Sequence, residues 1–316
     1  MATNDPVNRT LGDRLQSLSR HTVYLCLIVV VSASVLASYF FKIVLPVKST
    51  GPSQDFFDAL MAVPEGSTVF VQSDFTNSTR GESAGQFQAL LRILMRRKIK
   101  FALFCGSGEP QAVQVAKDYV AMINAERKAA GQPEYRRWDD YVALGLFTDG
   151  RAYAKALQAD IRTAIENRKD NPPGEPPQDV WESPVLKDIK TLDDIALYIN
   201  ITGSKTTDIL VERLKFKPVK FGEVEIKSKI GSMVTGVMYP EAQNYYKSGQ
   251  VFGLVGGLNG NVEIEKMMEE KFKGEKNLAS STAYYFALHT AMALLIIFVI
   301  LGNLGMYLSK KEGGAR

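Results

Sequence analysis

The feature that most constrains this chain is a pair of apolar runs, one near each end, neither containing Asp, Glu, Lys or Arg. Thr22 to Phe41 reads TVYLCLIVVVSASVLASYFF, and Ala283 to Leu308 is longer before Lys310-Lys311 closes it. At 1.5 Å per helical residue each is long enough to cross a hydrocarbon core of about 30 Å. The chain therefore reads as a two-pass membrane protein. Its transmembrane helices cover 22–46 and 283–308, its tails 1–21 and 309–316, and a polar domain fills 51–279. A cleaved signal peptide is the competing reading of the first run. The run exceeds a usual h-region and ends in Tyr39-Phe40-Phe41-Lys42, not in a small-residue cleavage site.

Two spans put both tails on one side. Arg9, Arg14 and Arg20 in the first tail, with Lys310, Lys311 and Arg316 in the second, favour cytoplasmic tails and an extracytoplasmic, periplasmic middle in an inner (plasma) membrane. Lys42, Lys48, Lys271, Lys273 and Lys276 flank the other face and reduce the asymmetry. Small residues four apart (Ala33/Ala37, Ser34/Ser38, Ala283/Ala287/Ala291) allow close helix approach, pairing either the two spans or two copies of the chain. His289 and Asn303 are polar groups inside the second span. They are functional candidates by position, with a helix-to-helix hydrogen bond or an interfacial histidine as the plainer alternative.

Composition removes several mechanisms. The only histidines are His21 and His289, so the middle domain has none, which excludes histidine-based triads and His-ligated zinc there. The only cysteines, Cys26 and Cys105, lie in different regions, so no disulfide within the domain and no CxxC pair can form. With 38 basic against 34 acidic residues, the net charge of +4 is too balanced to point to nucleic acid.

Between the spans, short apolar runs alternate with helical ones. STVFVQSDF (67–75) reads as a strand, 83–100 as a helix with Phe87, Leu90, Leu91 and Leu94 on one stripe, and 101–105 as a strand. A helix (111–131), a strand (141–147) and a helix (151–168) follow. Pro-rich 169–184 reads as an exposed loop that Trp181 anchors to the domain or to a neighbour. The alternation resumes with strand 195–202, helix 205–214, an edge segment at 219–226, strand 232–239, helix 240–249, strand 251–258 and helix 262–274. Strand–helix alternation predicts an α/β fold: a Rossmann-like, mostly parallel sheet domain between two transmembrane helices.

Ligands of such sheets bind beyond the carboxyl ends of the strands. The residues expected there are Asp74, Cys105 with Ser107, Asp149, and Asn200, Thr202 and Ser204. Loops and helix caps favour the same residue types, so each has a purely structural alternative. The segment 253–261, with Gly253, Gly256, Gly257 and Gly260, matches neither nucleotide-binding glycine pattern, and close backbone packing is its better reading. Cys105 in CGSG (105–108) lacks an obvious base. The basic run Arg92, Arg96, Arg97, Lys98, Lys100 ends a helix and is read as stabilising that end, with acidic head groups as the alternative partner. Sequons at Asn8, Asn77 and Asn200 carry no argument.

The stretches SDF…GQFQALLRILMRRKIKFALF, YVALGLFTDGRAYAKALQADIR and SGQVFGLVGGLNGNVEIEKMM together resemble a group of uncharacterised prokaryotic membrane proteins with an α/β domain between two terminal transmembrane helices. The resemblance spans roughly residues 55–310 and implies a prokaryotic source and this architecture. That group has no assigned activity, so no functional residue carries over.

The function expected is a non-enzymatic, membrane-anchored assembly subunit whose partners are the bilayer and either further copies of itself or other membrane proteins. Recognition of a small polar ligand by the strand-end residues is the alternative, and an enzyme the third. No cofactor and no metal is expected.

Overall fold

Every position of Thr68–Asp74 is buried, although Gln72, Ser73 and Asp74 are polar. A strand buried along its whole length must be covered on both faces, which only an interior position in a helix-sandwiched sheet provides. The computed structural model describes residues 11–41, 48–107, 109–172, 174–273 and 279–313. It comprises two compact units, 47–275 and the paired chain ends.

The first unit contains the expected α/β fold. Its sheet strands are β1 (Thr68–Asp74), β2 (Lys100–Cys105), β3 (Tyr141–Leu146), β4 (Leu197–Thr202), β5 (Ile230–Val234) and β6 (Gly253–Gly256). All pair in parallel in the order β6-β5-β4-β1-β2-β3. This is the dinucleotide-fold strand order, with its direction reversing between β1 and β4. The helices are α1 (Gly51–Ala62), α2 (Arg80–Arg96), α3 (Pro110–Ala129), α4 (Gly150–Ala159), α5 (Thr206–Arg213), α6 (Tyr239–Lys247) and α7 (Gly257–Lys271).

Several boundaries depart from the sequence reading, each for a local reason. Gly51-Pro52-Ser53 is the first turn of α1 and no break, because proline is tolerated where helix N–H groups lack partners anyway. The helix expected over 151–168 divides at Asp160, which leaves the helical region and caps a short second helix, Ile161–Ala164. The strand expected over 232–239 stops at Val234, and Tyr239 already belongs to α6. The strand expected over 251–258 is Gly253–Gly256, and α7 starts at Gly257, whose φ of +57° turns the chain into the helix. The 219–226 segment is a separate hairpin, Val219–Phe221 against Val224–Ile226. In the Pro-rich stretch, 174–177 is exposed, whereas Asp170 and Val180 are fully buried and Trp181 packs on the core.

The second unit pairs an apolar helix, Arg20–Phe41, with a longer one, Ala279–Gly313. Both are long and apolar enough to span a membrane. Residues 42–46 of the first expected span lie outside the described residues, as do Arg9, Arg316 and Lys276. The helices meet along small residues: Ser34, Ser38, Ala283 and Ala287 are buried, and the Ser34 and Thr290 hydroxyls lie 2.8 Å apart. Leu, Ile and Val side chains such as Leu25, Ile28, Val29, Ile296 and Val299 face outward. A short helix, Leu11–Gln16, crosses the far end of the long one so closely that Gly12 has no room for a side chain beside Ser309. Leu11–Gln16 and the last turns of Ala279–Gly313 thus lie at the same end of the helix pair.

Candidate ligand-binding cleft

The loops after β2, β3 and β4, with one side chain of β1, form a cleft of about 470 Å³ at the carboxyl ends of these strands. Gln72 comes from β1, Gly106 and Ser107 follow β2, Thr148 to Arg151 follow β3, and Ser204 to Thr206 follow β4. Ile209 and Leu210 of α5 supply an apolar wall. The cleft adjoins the reversal of strand order, where open α/β sheets bind ligands.

A buried polar relay builds its floor. Tyr198 donates its hydroxyl proton to Gln72 Oε1 at 2.5 Å, and Gln72 Nε2 donates to Asp74 Oδ2 at 2.6 Å. Asp74 Oδ1 accepts from the Gly106 N–H at 2.7 Å. Because the phenol donates to one end of the Gln72 amide and the carboxylate accepts from the other, the orientation of that amide is fixed. Burial raises the Asp74 carboxyl above its ordinary value, against the opposing hydrogen bonds from Gly106 and Gln72.

The loops interlock without side chains. A Cβ on Gly106 would lie 2.4 Å from Gln72 Nε2, and one on Gly150 would lie 2.5 Å from the Gly106 carbonyl oxygen. Glycine at 106 therefore serves the Gln72 relay and not a thiol site. Burial and the neighbouring Asp74 push the Cys105 thiol up to about 11, so it is protonated at neutral pH and is no nucleophile. Its sulfur lies 3.2 Å from the Ser107 hydroxyl.

The residues expected at the strand ends do share one end of the sheet: Asp74 pairs with Thr202, and Gln72 with both Phe104 and Asn200. Their placements differ. Ser107, Asp149 and Ser204 line the cleft; Asp74, Cys105 and Thr202 are buried at the last positions of their strands. Asp149 also caps α4, accepting from the Arg151 and Ala152 N–H groups. Thr202 accepts from the Ser204 N–H at 3.0 Å and bonds the Thr206 hydroxyl at 3.2 Å, shaping the β4 loop. Asn200 is turned inward. Its Nδ2 donates to Thr207 Oγ1, Thr207 to Ser232 Oγ, and Ser232 back to Asn200 Oδ1, a closed ring in which every member is buried. Gly108 and Asn8 lie outside the described residues.

Sequence reading missed Gln72, Thr148, Arg151, Lys205 and Thr206. Gln72 carried one signal, a polar residue inside an otherwise apolar strand. Lys205 and Arg151 bring positive charge to the rim, each beside a carboxylate: Lys205 lies 2.9 Å from Glu241 and Arg151 3.8 Å from Glu212.

The glycine-rich segment is the junction of β6 with α7, and its glycines allow close packing. Gly257 and Gly260 are helical, Gly253 lets α1 press its backbone at Phe56 onto β6, and Gly256 faces the Tyr239 ring. The anion at this junction is the chain's own Glu82, whose Oε2 accepts from the Gly236 N–H at 2.6 Å and would lie 3.2 Å from a Cβ on Gly257. Each residue of the basic run has a partner. Arg92 forms a salt bridge to Glu126, Arg96 stacks over Phe272, Arg97 bonds the Val63 carbonyl, Lys98 pairs with Glu65, and Lys100 bonds the Pro184 carbonyl. In the long apolar helix, His289 Nδ1 lies 2.8 Å from the Tyr285 carbonyl one turn back, an intrahelical contact, and Asn303 is exposed. Among the described residues, no group of three or more His, Cys, Asp or Glu side chains is placed to hold a metal ion.

No protein-family model, curated protein or solved structure matches the chain.

Proposed function

We propose that this protein is a membrane-anchored recognition module, held in the bilayer by its two apolar helices, whose α/β domain binds a small polar ligand in the cleft at the carboxyl ends of β1 to β4. The observation that carries the reading is the convergence of three loops and the Gln72 side chain of β1 on one cleft, floored by a fixed amide and rimmed by hydroxyls and two cations. The chemistry offered is hydrogen bonding: a protonated thiol and a buried, fully bonded carboxyl hold the loops in place. The domain lies on the extracytoplasmic side. The basic residues of the two tails support this orientation.

The test is native mass spectrometry of the full chain released from detergent, alone and after Thr206→Val with Ser204→Ala. A co-purifying small molecule lost from the double variant supports the reading. A defined homo-oligomer or co-purifying membrane proteins with no small molecule would replace it with the assembly role. Protease added to spheroplasts should cut the middle domain and spare the tails; accessible tails with an intact domain reverse the orientation.

A further inference from the structure

A second cleft, of about 340 Å³, opens at the opposite end of the sheet, where the amino ends of β1, β2, β4 and β5 meet the Val219–Ile226 hairpin. Two ammonium groups line it. Lys229 is 4% exposed, yet its Nζ donates to two main-chain carbonyls, those of Asp193 and Ile195, the latter at 2.8 Å. Lys100 donates to the Pro184 carbonyl at 2.9 Å. Neither is salt-bridged to a carboxylate among the described residues. An ammonium has three protons to donate, so Lys229 retains one N–H and Lys100 two. The neighbouring Asp193 and Asp194 carboxylates offset part of the cost of burying Lys229, although neither hydrogen-bonds its ammonium.

The carboxylates of the same cleft are unequally engaged. Asp194 accepts from the Lys190 and Thr191 N–H groups, and Asp193 accepts from the Lys217 N–H and pairs with its ammonium at 3.0 Å. Asp188 is exposed on the rim. The lining thus holds two ammonium groups and three carboxylates, of which Asp193 and Asp194 are engaged by neighbouring N–H groups and Asp188 is open on the rim. Such a lining suits a ligand that is neutral overall but has one charge of each sign. Ile189, Val219 and Phe221 add an apolar wall. The volume lies at the small end of ligand pockets, roughly 300–1,000 Å³.

We propose that this second cleft binds a small aliphatic α-amino acid, with its carboxylate on Lys100 and Lys229, its ammonium on Asp188 and its side chain against Ile189, Val219 and Phe221. The site is independent of the cleft at the carboxyl ends. Isothermal titration of the full chain with L-leucine should give a dissociation constant of about 0.1–1 mM. 4-Methylpentanoate, which lacks the ammonium, and 3-methylbutylamine, which lacks the carboxylate, should each bind at least tenfold more weakly. Asp188→Asn is on the surface and should leave the melting temperature unchanged, Lys100→Met loses the bond to the Pro184 carbonyl and should melt a few degrees lower while keeping the Lys229 clamp, and both should lose leucine affinity at least tenfold. The proposal is overturned by no heat with leucine up to about 10 mM, by either analogue binding as tightly as leucine, or by affinity unchanged in both variants. Leucine affinity that falls with Thr206→Val and not with Lys100→Met would put the ligand in the other cleft and equally overturn it.

Discussion

Replacing Tyr198 by Phe tests the floor of the carboxyl-end cleft with the smallest change available, one oxygen atom. Tyr198 is fully buried and Gln72 nearly so, so no bulk water replaces the lost donor. Gln72 Oε1 is left unsatisfied, at a cost of about 1–3 kcal/mol. A flip of the Gln72 amide does not rescue the site while Asp74 is ionised, since it sets two acceptors, Gln72 Oε1 and Asp74 Oδ2, against each other. Protonation of Asp74 does not rescue it either, because the flipped amide would accept that proton only by turning its own NH2, unpaired, toward the ring that replaces the phenol. In the parent protein that raised value means the folded state binds the proton more tightly. Stability from this group is therefore full below the ordinary value of 3.8 and is lost as pH rises through the folded value. The assay is thermal unfolding of the full chain in detergent, followed by near-ultraviolet circular dichroism between pH 4 and 8. For a domain of this size about 1–3 kcal/mol corresponds to a loss of roughly 2–12 °C. A double-mutant cycle with Gln72→Leu should show coupling of about 1 kcal/mol. A Tyr198→Phe protein melting within a degree of the parent at pH 8 would refute the relay.

Cys105, in a Cys26→Ser background, should react with iodoacetamide at pH 8 about 100-fold more slowly than a thiol of pKa 9.0, because a pKa of about 11 leaves about one thiolate per thousand; a rate within tenfold of a free thiol disproves the assignment. The same shift makes stability fall as pH rises from 9 towards 11, read as a steepening loss of melting temperature that Cys105→Ala removes. Gly253→Ala puts a methyl group 2.5 Å from the Phe56 backbone and should cost about 2–3 kcal/mol, whereas Gly81→Ala, with open space around it on α2, should gain about 0.5–1 kcal/mol. Ser34→Cys with Thr290→Cys, again without Cys26, should form an intramolecular disulfide on mild oxidation; a disulfide-linked dimer instead would mean that the small residues pair two copies.

The sheet was legible because each of its strands is a short apolar run between turn residues, and the alternation with helices implied parallel pairing. What escaped depends on contacts distant in sequence. Gln72 meets Tyr198 across 126 positions, and only the register of β1 against β4 brings them together. Asn200 has the composition of a rim residue, but its amide is claimed by Ser232 and Thr207. The glycines of 253–261 look like a loop because glycine disfavours helix interiors; here Gly257 makes the turn and Gly260 fits against Val255. Small residues in the spans were visible as a spacing, but the outward faces of Ala33 and Ser34 differ only in the folded pair: Ser34 is buried and Ala33 exposed.

The distribution of buried polar groups fits the proposed recognition role for the carboxyl end of the sheet. Gln72, Asn200 and Ser232 form one row across β1, β4 and β5, with Asp74 and Thr202 paired two steps beyond. Each such group costs stability unless every donor and acceptor is matched. A chain selected only to pack would fill these positions with apolar residues, as it does two steps earlier with Phe70, Tyr198 and Ile230, which belong to the hydrophobic core. The switch from apolar to hydrogen-bonded side chains coincides with the cleft. There a matched network does what a hydrophobic floor cannot: it fixes the direction of one amide and the height of three loops, so that a ligand meets groups already in position.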